Sequence, residues 1–175
     1  TPSQVYRMAG DSRDPHAAAY ESTNSSYVFD ENLIILSAIL DLILLGLAED
    51  GHTASLIPGT SILQDHQRVV AATQSPKDPH NRLIMTLAAI SRASVILFLV
   101  TGAGKAGVVK AILDPKTEAE RQLPPSLVKP EEGRVVWFLA ELQQPNFRNI
   151  NNGRAHEGEM IVAGDIGGTK THLAL

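Results

Sequence analysis

The stretch from Leu33 to Leu47, LIILSAILDLILLGL, restricts this chain's fold more than any other feature. It is shorter than the roughly 20 apolar residues a membrane-spanning helix needs. Asp41 interrupts it, and a carboxylate at mid-membrane is costly. The stretch is therefore read as protein core, and no membrane partner is expected. A strand from Asp41 to Gly46, carrying Leu42, Ile43, Leu44 and Leu45, suits the central strand of a parallel sheet covered on both faces. The residues before it read as a short helix or loop.

Further elements repeat the pattern. SVILFLV, Ser94 to Val100, is continuously apolar and rich in β-branched and aromatic residues, which predicts a second buried strand ending in the glycine turn TGAGK. Ala106 to Leu113 follows as a helix with Val108, Val109, Ile112 and Leu113, stopped by Asp114-Pro115. VVWFL, Val135 to Leu139, predicts a last strand with Trp137 in the core. His16 to Ser22 favours helix, with Pro15 suited to its first position. Arg82 to Arg92 fits either helix or strand, and QLPPSLVKPEEG, Gln122 to Gly133, reads as a proline-rich surface connection. This alternation predicts an α/β fold, a Rossmann-like parallel sheet with flanking helices, forming a partial domain over 1–142. The loops after Gly46 and Thr101 then share the edge where such sheets bind ligands. Residues 143–159, polar and Asn/Gly-rich, read as a linker, and 160–175 as a short C-terminal β segment.

Charge removes other classes. Nineteen acidic against fifteen basic residues give a net −4 with no Lys/Arg block, so no nucleic-acid partner is expected. There is no cysteine, and the opening residues lack the basic and apolar regions of a secretory signal, which makes the cytoplasm the default compartment. The six histidines show neither HxH nor HxxxH spacing, and no metal is expected.

The chemistry concentrates in GLAEDGHTASLIPG, Gly46 to Gly59. His52 stands beyond a buried strand beside Asp50, Thr53 and Ser55, where it can exchange protons near neutral pH. The plainer reading is a helix-start loop whose Asp, Thr and Ser cap backbone donors. Lys105, in TGAGKA, can join a helix N-terminus in holding an anion, or be a solvated turn lysine. Arg82 is either a surface arginine or a bidentate phosphate ligand.

LDLILLGLAEDGHTASLIPG resembles the 6-phosphogluconolactonase family, whose loop reads like GxGxDGHTASLFPG after a strand like FDLVLLG. Ala48 replaces a usual glycine and Ile57 a usual phenylalanine. Glucosamine-6-phosphate deaminases share the DGH portion but continue with an IAFNEP-like string. The resemblance extends through VYRMAGDSRDPHAAAYE, RLIMTLAAISRASVILFLVTGAGKAGVVKAIL and LPPSLVKPEEGRVVWFL, covering about Val5 to Leu142. It implies hydrolysis of 6-phospho-D-glucono-1,5-lactone without a cofactor. His52 would be the general base and Asp50 its orienting partner. The substrate-binding residues would be Gly51, Thr53, Ser55, Arg82 and Lys105, with Thr53 and Ser55 organising the loop and Arg82 and Lys105 holding the phosphate.

The family's SGGSTP-like and DER-like loops have no counterpart here, which suggests an amino-terminal truncation and little activity from the chain alone. An aminosugar-phosphate isomerase or deaminase, or a non-catalytic fragment, are the competing readings. The tail MIVAGDIGGTKTHLAL resembles the start of bacterial glucokinases through Asp165, Gly167, Gly168, Thr169 and Lys170, an incomplete nucleotide-binding motif that implies a covalent lactonase–glucokinase fusion.

Overall fold

A computed structural model describes residues 8–9, 12–19, 40–74, 81–130, 132–140, 159–164 and 173–174. The last two spans are described by their backbone alone.

A helical turn, α1, covers 15–19. Pro15 occupies its first position, where its fixed φ is pre-organised for helix, and Asp14 Oδ1 accepts from the backbone N–H groups of His16 and Ala17 at 3.0 Å each. Strand β1 follows at Leu42–Leu45, then a 3-10 turn at Ser61–Gln64. Strands β2, Val70–Gln74, and β3, Asn81–Met85, form an antiparallel pair. The buried Thr86 then caps a helical turn, α2, at Leu87–Ile90. Its oxygen accepts from the Ala89 N–H, and its hydroxyl donates to the Arg68 carbonyl at 2.6 Å, tying α2 to the entrance of β2. Next come β4, Val95–Thr101, a 3-10 turn at Ala103–Lys105, and α3, Ala106–Leu113. Two helical turns, α4 (Glu118–Arg121) and α5 (Pro124–Leu127), precede β5, Arg134–Ala140, and the chain adds β6, Glu159–Gly164, and β7, Leu173–Ala174.

The main sheet runs β1-β4-β5-β6-β7, parallel except for the last pair. This is the expected α/β architecture, and helix α3 spans the residues predicted for it. Ile43, Leu45, Ile96, Phe98, Trp137 and Leu139 turn one face of the sheet into the core, where Phe98 and Trp137 stack with ring centroids 4.1 Å apart. Ala71 and Ile84 of the hairpin, and Val109 and Ile112 of α3, close over that face.

Several expectations are corrected. Strand β1 is not central among the described strands, and its outward residues Leu42 and Leu44 are 52% and 58% exposed. Successive strand side chains point to opposite faces, so a continuous apolar run carries no alternation from which one-sided burial could be read. The Arg82–Arg92 segment is strand and then helix, both periods being realised in succession. The proline-rich connection is not all surface: Pro124 and Pro125 open α5 and are buried. Lacking N–H groups, they leave no orphan donor in the interior. Strand β2 was not anticipated. Strand β5 is followed in the same sheet by β6, which pairs Glu159 through Ala163 with Val135 through Leu139. Among the described residues no helix is long and apolar enough to cross a membrane.

Candidate active site

Parallel pairing of β1 with β4, Leu45 opposite Phe98, brings their carboxyl ends to one edge, and both glycine-containing loops leave from it. The loops touch. A Cβ added at Gly104 would lie 2.5 Å from Glu49 Oε1, so the Glu49 side chain fits there because position 104 has none.

The loop after β1 is tightly folded. The Gly51 N–H donates to the Ala48 carbonyl and the Ala48 N–H to the His52 carbonyl, both at 3.0 Å. Gly51 has φ +84°, a conformation that favours glycine, and a Cβ on it would press on the tip of Leu123, 2.8 Å from Cδ2. Ala48, in contrast, is absent from the positive-φ residues, and alanine stands there without backbone strain. Thr53 is 2% exposed and its hydroxyl donates to the Gly46 carbonyl at 2.7 Å, which ties the loop to the end of β1. Thr53 and Leu56 form an antiparallel bridge, with Ala54 and Ser55 between them at φ +48° and +62°.

His52 projects from this frame with its side chain 31% exposed and Nδ1 2.6 Å from Asp50 Oδ1. The same carboxylate oxygen accepts from the His52 backbone N–H at 3.2 Å. A proton on Nδ1 satisfies the carboxylate and leaves the lone pair on Nε2, the tautomer that accepts a proton from water. Asp50 is thus placed to orient the imidazole.

Arg82 comes from β3. Period-2 alternation puts it on the face of Ile84, which is fully buried in the main core, and its Nη1 donates to Ser55 Oγ at 3.2 Å. The hairpin therefore delivers a guanidinium to the His52 loop from 27 residues further along the chain. Lys105, half-buried, ends the 3-10 turn after β4 and its N–H donates to the Gly102 carbonyl at 3.1 Å. It opens α3, where backbone N–H groups and the helix dipole favour an anion. Glu49 and Leu123 were not singled out from sequence; Glu49 lies beside Gly104 and Leu123 beside Gly51, neighbours that spacing does not reveal.

Among the described residues, no group of three or more His, Cys, Asp or Glu side chains converges as a metal site. His16 and His66 are exposed. Asp165, Gly167, Gly168, Thr169 and Lys170 lie outside the described residues, as do His80, His156 and His172.

Residues 1–137 match the model of the family described as glucosamine-6-phosphate isomerases/6-phosphogluconolactonase. The chain belongs to this family. Within it, the chain is 42% identical over 104 residues to human 6-phosphogluconolactonase, covering 59% of this chain and 40% of that protein. It is 34% identical over 143 residues to probable 6-phosphogluconolactonase 3, chloroplastic, of Oryza sativa subsp. indica, covering 78% and 43%. Among solved structures, the devB protein aligns with a TM-score of 0.62 at 31% identity, over 77% of this chain and 55% of that one. The 6-phosphogluconolactonase of Trypanosoma brucei aligns with 0.53 at 26%, over 78% and 56%. The chain thus spans less than half the length of these two curated members of the glucosamine-6-phosphate isomerase/6-phosphogluconolactonase family.

Proposed function

We propose that the protein hydrolyses 6-phospho-D-glucono-1,5-lactone to 6-phospho-D-gluconate. The observation that carries this reading is the Asp50–His52 pair, held at 2.6 Å beyond the carboxyl end of β1, with Arg82 bonded to the same loop. A lactone carbonyl is already electrophilic, so the reaction asks for a positioned water, one proton-transfer group and cations for the phosphate. His52 Nε2 takes a proton from water as its oxygen bonds to the carbonyl carbon. When the ring C–O bond breaks, His52 returns that proton to the departing ring oxygen. Arg82 and Lys105 bind the phosphate, and Gly51, Thr53 and Ser55 shape the loop around it. The reading asks for no metal or nucleotide cofactor.

Cytoplasmic location and a covalent join to a glucokinase belong to the same proposal and rest on the sequence alone. The test is lactone hydrolysis measured above the spontaneous rate, with glucosamine-6-phosphate deamination and glucose phosphorylation as parallel assays. It is run on this chain and on human 6-phosphogluconolactonase carrying residues 40–140 of this chain in place of its own. Lactone turnover by the chimera, abolished by His52→Ala, supports the proposal; deamination without lactone turnover replaces it with the aminosugar-phosphate reading.

A further inference from the structure

Two adjacent residues in the candidate site, neither of them glycine, hold left-handed backbone: Ala54 at φ +48° and Ser55 at φ +62°. They are the middle of a two-residue reversal, because Leu56 N–H donates to the Thr53 carbonyl at 2.6 Å and the two flanking residues bridge as an antiparallel pair. Turns with positive φ at both central positions favour Asn-Gly or Gly-Gly. An alanine and a serine there are held against their own preference, and such strain persists only where the surroundings over-determine it. Here the surroundings are visible. Thr53 and Leu56 are 2% and 0% exposed, Thr53 is bonded to Gly46, and the Ser55 hydroxyl accepts from Arg82 Nη1 at 3.2 Å.

Anchored on both sides, the turn has little freedom to relax, so the position of Ser55 Oγ is set by the end of β1 rather than by solvent. The guanidinium it meets belongs to the separate two-stranded sheet. The hydrogen bond is therefore a cross-link between the loop that carries His52 and the hairpin that carries Arg82.

We propose that Ser55 is a positioning residue: the strained Ala54-Ser55 turn holds its hydroxyl against Arg82 and so sets where the guanidinium meets a phosphate monoester relative to His52. This rests on the lactonase reading for the identity of that phosphate. The guanidinium is a planar, charged fork of N–H donors. Fixing its plane matters because bidentate phosphate binding is directional.

The test uses the 175-residue chain with 6-phosphogluconate, the product, and gluconate as its unphosphorylated control. Binding is followed by calorimetry and the Arg82 side-chain N–H exchange rate by NMR. In Ser55→Ala the Arg82 exchange should quicken, and 6-phosphogluconate affinity should fall about tenfold, the scale of one hydrogen bond to a charged group, while gluconate binding stays as it was. Ser55→Asn, which tolerates positive φ and keeps an acceptor oxygen, should restore both in part. In an Arg82→Ala background, Ser55→Ala should add nothing.

A loss that persists without Arg82 would mean that Ser55 touches the ligand itself, and unchanged Arg82 exchange in Ser55→Ala would mean that the cross-link does not hold the guanidinium; either overturns the proposal. Ala54→Gly supplies a variant that relieves strain. It should raise thermal stability, because glycine adopts positive φ without strain; an unchanged or lowered melting temperature would show that the turn is not held against its preference and would overturn the inference. Failure of the lactonase reading has a different signature: no lactone turnover by the chimera carrying residues 40–140, with Arg82 exchange still responding to Ser55→Ala.

Discussion

Thr53 donates its buried hydroxyl to the carbonyl of Gly46, 2.7 Å away, and so closes the His52 loop onto the strand from which it springs. Seven residues are spanned by that bond, and His52 lies next to its donor. Thr53→Val keeps the shape and removes the hydroxyl. The expected cost is about 1 kcal/mol, the usual net contribution of one hydrogen bond, read from urea unfolding midpoints. An unchanged midpoint would show that water replaces the hydroxyl at Gly46 without loss.

For His52, the expectation concerns rate rather than folding. A single proton-transfer group contributes a factor of about 10²–10⁴, so His52→Ala in the chimeric lactonase should lower kcat by that order and alter 6-phosphogluconate affinity much less. Asp50→Asn should lower kcat as well, since an amide can present its N–H to Nδ1 and favour the other tautomer. Near-normal kcat in His52→Ala would reduce the residue to a loop element.

Arg82→Ala and Lys105→Ala should raise KM for the phosphorylated lactone far more than for unphosphorylated gluconolactone. Charge-assisted hydrogen bonds are the stronger class, and only the phosphate ester can engage them. Equal losses with both lactones would point to a damaged fold.

Acid stability is set in part by Asp65. Burial raises its carboxyl pKa, but hydrogen bonds from the Gln67 and Arg68 N–H groups and the Arg68 guanidinium outweigh burial and hold it below its ordinary value. Glu120, half-buried, is lowered chiefly by the Thr117 and Lys116 N–H groups. A depressed carboxyl stabilises the fold above its unfolded value, near 4, and that contribution is lost as pH falls through the folded one. The melting temperature should therefore decline between about pH 5 and 3, and Asp65→Asn should flatten part of the decline. An Asp65→Asn profile parallel to that of the unaltered chain would assign the acid limb elsewhere.

Chain order alone determined much of this protein. Apolar strands at Leu42–Leu45 and Val95–Thr101, each followed by a glycine loop, dictated a parallel sheet with both loops at one edge, because parallel strands bring equivalent ends together. Helix α3 was legible from its apolar spacing and the Asp-Pro stop. GLAEDGHTASLIPG placed His52 and Asp50 two residues apart, close enough for local backbone to join them.

What sequence could not supply was anything set by contacts between distant segments. The one-sided exposure of Leu42 and Leu44 depends on which face the helices and hairpin cover, and an unbroken LILL is silent on that. The burial of Pro124 and Pro125 depends on where α5 docks. The approach of Arg82 to Ser55 required a second sheet, since only the β2–β3 pairing turns that side chain toward a loop 27 residues earlier in the chain. Hydrophobic period and turn residues are local signals; packing, which chooses among the faces they offer, is not.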